Sequence, residues 1–297
     1  MENKKHVFII NPTSGTGKYS EVESIIKEYF KEAQELCIIH HTEYVGHAKQ
    51  IARLYDENHI LYSVGGDGTA HEVLNGLNEG VEMAVIPVGT GNDFWRMIDY
   101  DKDLNAIVID TIEGVSVNID YGLANGNRFL NCANIGIDAE VNKFVNNVRS
   151  KWFPRNIIYI YAAIIEAIRY KPVLLNIDTK DQKMQKKIIL TSFMNGKWYG
   201  GGFKSAPKAH LNDGLIDVCV VDDLPMRRVF KLISKYYKGE HLDIPEVTYL
   251  RVEEVNLSSD RSISLGCDGE LFEYNDISIK VVKDGLKLRL PREAKML

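Results

Sequence analysis

Asparagine, serine, threonine and aspartate set among glycines recur along the N-terminal third of the chain, and loops of that composition can hold a phosphate. Asn11-Pro12-Thr13-Ser14-Gly15-Thr16-Gly17-Lys18 offers backbone N–H groups and short polar side chains just ahead of a helix signal, where an anion is favoured. It is not a Walker A loop, because Pro12 stands where the first glycine belongs and Tyr19 follows Gly17-Lys18. Alone, the segment reads equally well as a capped turn. Gly65-Gly66-Asp67-Gly68-Thr69-Ala70-His71-Glu72 puts a carboxylate among glycines, so a backbone can approach a ligand with no Cβ between. Thr69 and Glu72, three apart before an apolar run, predict a capping box. Gly89-Thr90-Gly91-Asn92-Asp93-Phe94 repeats the logic, with Thr90 and Asn92 as hydrogen-bonding groups and Asp93 as a second carboxylate. Asp120 is a third. Asp67, Asp93 and Asp120 are expected to gather around Mg²⁺ through water, which requires their carboxylates to lie within about 10 Å of one another.

These stretches need elements to position them. Residues 6–10, 37–41, 60–64 and 83–88 are short apolar runs of strand type. Between them, Val22, Ile25, Ile26 and Tyr29, then Ala48, Ile51 and Tyr55, then Val73, Leu74 and Leu77 recur at helical spacing. Such alternation predicts βαβ units, a parallel sheet and ligands at the carboxyl ends of the strands. Past residue 115 the texture changes to strands at 117–123, 128–135, 173–179, 187–194, 216–221, 248–257, 262–266, 277–282 and 286–290. Turns such as Asn125-Gly126 and Lys283-Asp284-Gly285 separate several of them. Helices are expected around 139–149, 156–170 and 225–238, and residues 181–187 read as a charged hairpin tip. The expected fold class is α/β + β. Its N-terminal α/β nucleotide-binding domain, with a parallel sheet, covers 1–116 and is completed by the tail 291–297. Its C-terminal, mostly antiparallel β-sandwich domain with inserted helices covers 117–290.

Composition limits the rest. The chain has 297 residues and a net charge of −5, which disfavours a general nucleic-acid binder. Cys37, Cys132, Cys219 and Cys267 form no CxxC pair and are expected as free thiols. The eight histidines show no HExxH spacing, so a zinc site is not expected. The polar start Met1-Glu2-Asn3-Lys4-Lys5-His6 shows no signal peptide. The longest apolar stretch, 157–168, is broken by Glu166 and falls short of the ~18–20 residues that span a bilayer. A cytoplasmic protein is expected, with peripheral contact at the inner face of the membrane.

Taken in order, the loops at Asn11, Gly65 and Gly89, the segment Gly200-Gly201-Gly202-Phe203-Lys204-Ser205 with Asp213-Gly214, and Cys267-Asp268-Gly269-Glu270 resemble the bacterial diacylglycerol kinase family of lipid kinases. Its catalytic domain is shared with sphingosine and ceramide kinases. The resemblance covers Asn11 to Glu270. It implies ATP binding by Asn11, Pro12, Thr13, Ser14, Gly15, Thr42, Gly66, Asp67, Gly68, Thr69, Ala70, His71, Glu72 and Thr90. It implies Mg²⁺ held by the Asp213 carboxylate with the backbone carbonyls of His210 and Leu215. Catalysis would rest on Glu270 as proton acceptor and on Asp67. Without the other motifs, Asp213-Gly214 and Asp268-Gly269 are ordinary turn signals. The sequence departs from the family pattern at His71, Trp95 and Lys204; His71 is expected at a helix surface or cleft edge.

The implied reaction transfers the γ-phosphate of ATP to a lipid hydroxyl, with diacylglycerol the first candidate and Mg²⁺ as cofactor. The implied partner is a membrane lipid, and a homodimer is allowed. Lys143, Arg149, Lys151, Trp152, Phe153, Arg155 and the apolar stretch 157–168 could dock on the membrane or form an amphipathic core helix. Two alternatives stay open. One is a soluble kinase of the NAD-kinase type, which shares Gly65 to Thr69. The other is a nucleotide-binding regulator without lipid turnover.

Overall fold

The structure, a computed structural model, describes residues 4–15, 17–136 and 172–297. By internal contacts the chain divides into two compact units, Met1–Tyr121 with Lys283–Leu297, and Gly122–Val282. The expected boundary at 116/117 thus falls five residues early, and the C-terminal return to the first unit begins at Lys283 instead of residue 291.

In the first unit strands and helices alternate: β1 (Lys5–Ile10), α1 (Tyr19–Tyr29), β2 (Cys37–His41), α2 (His47–Ala52), β3 (His59–Gly65), α3 (Asp67–Gly76), β4 (Glu82–Pro87), β5 (Ile98–Asp99), α4 (Leu104–Ile112) and most of β6 (Val115–Ala124). The pairs β1–β2, β1–β3 and β3–β4 are parallel. Val7, Phe8, Ile9 and Ile10 are all fully buried, the unbroken apolar run of a strand covered on both faces. Phe8 stacks on Tyr62 with centroids 4.4 Å apart, and Val22 and Ile26 bring α1 onto the same core. Helix α4 has no counterpart in the sequence reading; it is capped by Asp103, whose carboxylate accepts the Ala106 N–H at 2.9 Å.

The second unit holds β7 (Asn127–Phe129), β8 (Cys132–Gly136), β9 (Val173–Thr179), β10 (Lys183–Met194), β11 (Ile216–Asp222), α5 (Met226–Lys238), β12 (Val247–Val252), β13 (Glu254–Cys267) and most of β14 (Glu270–Leu290). The pairs β8–β10, β8–β13, β9–β10, β9–β13, β10–β11, β11–β12 and β13–β14 are antiparallel, and Phe129, Phe193, Leu175, Val218, Leu265 and Ile279 are among its buried core. The chain is thus a mixed α/β protein whose strands pair mostly antiparallel. The last strand of β14 runs parallel to β4 through Lys287–Arg289 in the first unit, and β15 (Lys295–Met296) pairs with β5.

Several expected elements differ. Residues 262–266 belong to one strand with 254–261, and 270–290 form a single strand. Asp284, with φ 50°, is a local bend in β14 and not a hairpin. By contrast Asn125-Gly126, with φ of 45° and 86°, does close the β6–β7 hairpin, as the primed turn requires. Residues 183–187 lie in β10, paired to β9, so the charged tip is confined to 180–182. The helices expected at 139–149 and 156–170, and the docking stretch from Lys143 to Ile168, lie outside the described residues. All four cysteines are free thiols, with Cys132, Cys219 and Cys267 buried. Among the described residues no helix is long and apolar enough to cross a membrane.

Candidate active site

Register puts the polar loops of the first unit on one rim. Ile10 lies opposite His41 and Val64, and Val64 opposite Ile86, so the four strands end in one row. Asn11, Thr42, Gly66 and Val88 leave the sheet there. Backbone bonds hold the exits: Asn11 N–H to Val64 O at 2.9 Å, Thr42 N–H to Ile10 O at 2.8 Å, and Val88 N–H to Gly65 O at 3.0 Å. The Asn11 amide donates to Thr69 Oγ1 at 3.1 Å, and its oxygen accepts from the Thr13 N–H and hydroxyl at 3.0 and 2.8 Å.

Glycine is required where these loops meet. Gly15 has φ +65°, and a Cβ there would lie 1.9 Å from Val88 O. A Cβ on Gly89 would lie 2.5 Å from Gly66 Cα. Three loops therefore pack backbone to backbone, leaving their N–H groups and the start of α3 along the rim. Thr13, Gly15, Gly68 and Thr90 are exposed there, and Pro12, Ser14, Thr42, Gly66 and Asp67 are partly so.

Asp67 opens α3. Its two oxygens accept the N–H groups of Asp93 and Phe94, each at 3.1 Å, which fixes the loop after β4. Asp93 pairs with Arg96 at 3.2 Å, and buried Asp120 accepts the Asp284 N–H at 2.8 Å. Among the described residues no three His, Cys, Asp or Glu side chains group as a metal site. Asp67 and Asp93 are neighbours, since Asp67 accepts the Asp93 N–H, and Asp67, Asp93 and Asp120 each also hold a turn or a loop in place. The capping box is corrected. Helix α3 starts at Asp67, two residues before Thr69, so Glu72 instead reaches α2, where it accepts the N–H groups of Gly46 and Ala48 at 2.8 and 3.1 Å. His71 is buried, against the expected surface position, with Nε2 3.3 Å from Asn75 Nδ2. Ala70 is buried as well.

In the second unit, Asp268 and Gly269, with φ of 45° and 97°, make the tight turn from β13 into β14, and Glu270 is the first residue of β14. Asp268 is a clamp that the sequence reading missed. Its carboxylate accepts the N–H groups of Leu130, Asn131 and Cys132 at 2.6, 3.0 and 2.9 Å. The Asp-Gly pair signals a turn but not where its carboxylate bonds. Glu270 follows this clamp, half-buried.

Asp213 was expected to hold Mg²⁺ with the carbonyls of His210 and Leu215. Its Oδ1 accepts the Leu215 N–H at 3.0 Å, and its Oδ2 pairs with the Arg251 guanidinium. Arg251 also sits 3.3 Å from the buried Asp217, which Tyr249 bonds in turn. Burial pushes the Asp217 carboxyl up, against the Tyr249 hydrogen bond and the Arg251 charge. The charge that a cation would supply at Asp213 is already supplied by Arg251, so this donor set does not fit Mg²⁺ as it stands.

The model of the diacylglycerol kinase catalytic domain matches residues 5–124, and that of the YegS C-terminal NAD kinase beta sandwich-like domain matches 131–289, more than half of the 297-residue chain. A diacylglycerol kinase of Staphylococcus carnosus is 28% identical over 98% of this chain and 97% of its own length. One from Bacillus subtilis is 28% identical over 90% of each. The fold is shared with a crystal structure of a diacylglycerol kinase from Bacillus anthracis, TM-score 0.74 at 19% identity, covering 98% of both chains. A match that runs from the first phosphate-type loop through the Glu270 strand places this chain in the diacylglycerol kinase family of lipid kinases.

Proposed function

We propose that the protein is an ATP-dependent lipid kinase that converts diacylglycerol to phosphatidic acid. The observation that carries this reading is the common rim, where the loops after β1, β3 and β4 meet through Gly15, Gly66 and Gly89 with no side chain between. Asn11 to Gly15, Thr42, Gly66 to Glu72 and Thr90 form the nucleotide side. Backbone N–H groups and the α3 dipole take the phosphates, and Asp67 keeps the loop after β4 in shape. The roles of Ala70, His71 and Glu72 are indirect: the first two pack inward and Glu72 fixes α2.

Glu270 takes the proton from the lipid hydroxyl as its oxygen bonds to the γ-phosphorus, and the bond from that phosphorus to the bridging oxygen of ADP breaks. The products are phosphatidate, ADP and a proton passed to solvent. Mg²⁺ bound to the phosphates of ATP would offset their charge. The test is ADP release with ATP-Mg²⁺ and mixed micelles containing diacylglycerol, a second long-chain alcohol, or no acceptor, with NAD as a separate arm. Diacylglycerol-dependent ADP and a phosphorylated lipid are expected. NAD phosphorylation without lipid phosphorylation overturns the reading.

A further inference from the structure

Helix α5 has the sequence Met-Arg-Arg-Val-Phe-Lys-Leu-Ile-Ser-Lys-Tyr-Tyr-Lys, with five cations and no acid in a chain of net charge −5. At 100° per residue it shows three faces rather than the usual two. Val229, Leu232 and Tyr236 are half-buried and seat the helix. The Tyr236 hydroxyl lies 2.6 Å from Ser205 Oγ, and its ring packs on Phe203 and His241. That is the face a surface helix normally buries.

A second apolar stripe is left uncovered. Phe230, Ile233 and Tyr237, at i, i+3 and i+7, are 52%, 43% and 50% exposed. The third face carries Arg227, Lys231, Lys235 and Lys238, all exposed. Arg228 is paired with Glu246 at 2.9 Å, whereas no ion pair joins the other four to an acid among the described residues. The surface continues beyond the helix end: the Lys204 N–H donates to Tyr237 O at 3.1 Å, Phe203 meets the Tyr237 ring edge-on at 5.2 Å, and the Lys204 ammonium lies 5.5 Å over Trp198. Lys204 thereby adds a cation and two aromatic rings to the same patch.

We infer that α5, with Phe203 and Lys204, is a docking surface for an anionic phospholipid bilayer. Aromatic and aliphatic side chains enter the acyl boundary while long cationic side chains beside them reach the head groups, the layout of a helix lying in an interface. Charge decides the occupant. Four cations with no acidic partner among the described residues complement an anionic surface, and they orient a chain that a negative bilayer would otherwise repel. The inference deepens the lipid-kinase reading, since it supplies the contact through which a bilayer substrate is approached, yet binding is measured without catalysis.

The test is co-sedimentation of the full chain with phosphatidylcholine vesicles holding roughly a third phosphatidylglycerol, against pure phosphatidylcholine. Tight binding to the anionic vesicles is expected, weakening in high salt as exposed charge pairs do. Lys231→Glu with Lys235→Glu should weaken binding about tenfold or more, at roughly 1 kcal/mol per surface cation. Phe230→Ser, Ile233→Ser and Tyr237→Ser together should abolish it. Both variants should keep wild-type circular dichroism, and their activity in neutral detergent micelles should stay within about twofold, a range small beside the tenfold read as binding. Failure of the wild type to bind, or equal binding by both variants, overturns the docking surface even if micellar activity is intact. So does a wild-type dimer that the triple variant turns to monomer with vesicle binding unchanged. Loss of micellar activity in the wild type would instead overturn the kinase reading.

Discussion

Asp268 and the proposed proton acceptor Glu270 stand two residues apart, and only the first is a structural clamp. Asp268 accepts three backbone N–H groups, so Asp268→Ala leaves buried donors unpaired and should cost about 3 kcal/mol. Urea unfolding checks this; an unchanged midpoint would deny the clamp. Arg251 gives a second prediction. Because its guanidinium already neutralises Asp213, adding Mg²⁺ or EDTA to the nucleotide-free protein should move the melting temperature by less than about 1 °C. In Arg251→Gln, Mg²⁺ should become stabilising, and a large shift in the wild type would mean that the ion displaces the arginine. Residue types in the loops were legible because glycines and short polar groups announce a phosphate-type turn. Partners across the fold were not: neither Asp268 with 130–132 nor Asp213 with Arg251 has a local spacing that could reveal it.

At the scale of elements, period and turn chemistry were the readable signals. Apolar runs in β1 and β3 and the helical spacing of Val22 and Ile26 located their elements, because each is dictated by which face meets the core. Strand ends were less readable. The apparent break at Asp284 is bridged by the bond from its N–H to Asp120, and β14 continues. Glu72 shows why the capping box failed: once α3 begins at Asp67, a carboxylate five residues further on faces α2, whose first N–H groups have no side-chain cap from α2 itself. The rim gives the prediction at this scale. Gly89→Ala would press a methyl against Gly66 Cα, forcing the two loops apart. KM for ATP should rise at least tenfold, about 1.4 kcal/mol, while far-ultraviolet circular dichroism stays wild type. An unaltered KM would show that the loop junction does not shape the nucleotide site.

Over the whole molecule, composition reported an ordinary folded chain and excluded little else; the ordered set of motifs was far more informative. Acid sensitivity is a property of the first unit as a whole. His6 is pushed down to about 4, from an ordinary 6.5, by burial and by the Arg289 charge, with Glu82 opposing. Burial would raise the Glu82 carboxyl, but hydrogen bonds from Ser116, Lys287 and Lys4 outweigh it and bring it down to about 2. Both folded values lie below the unfolded ones, so both contributions are complete above the unfolded values and are lost as pH falls. Unfolding midpoints should therefore drop between pH 6.5 and 4 through His6, then further towards pH 2 through Glu82. His6→Gln should lack the first drop, and an identical profile would remove His6 from the account. The central claim is a division of labour, nucleotide on the glycine rim and proton acceptance at Glu270. Its most direct measurement is transfer of labelled γ-phosphate from ATP to diacylglycerol in mixed micelles, by wild type and Glu270→Gln together. Labelled phosphatidate from the wild type is predicted, falling about 10²-fold or more in the variant while its unfolding midpoint holds. Equal transfer by the two proteins would contradict it.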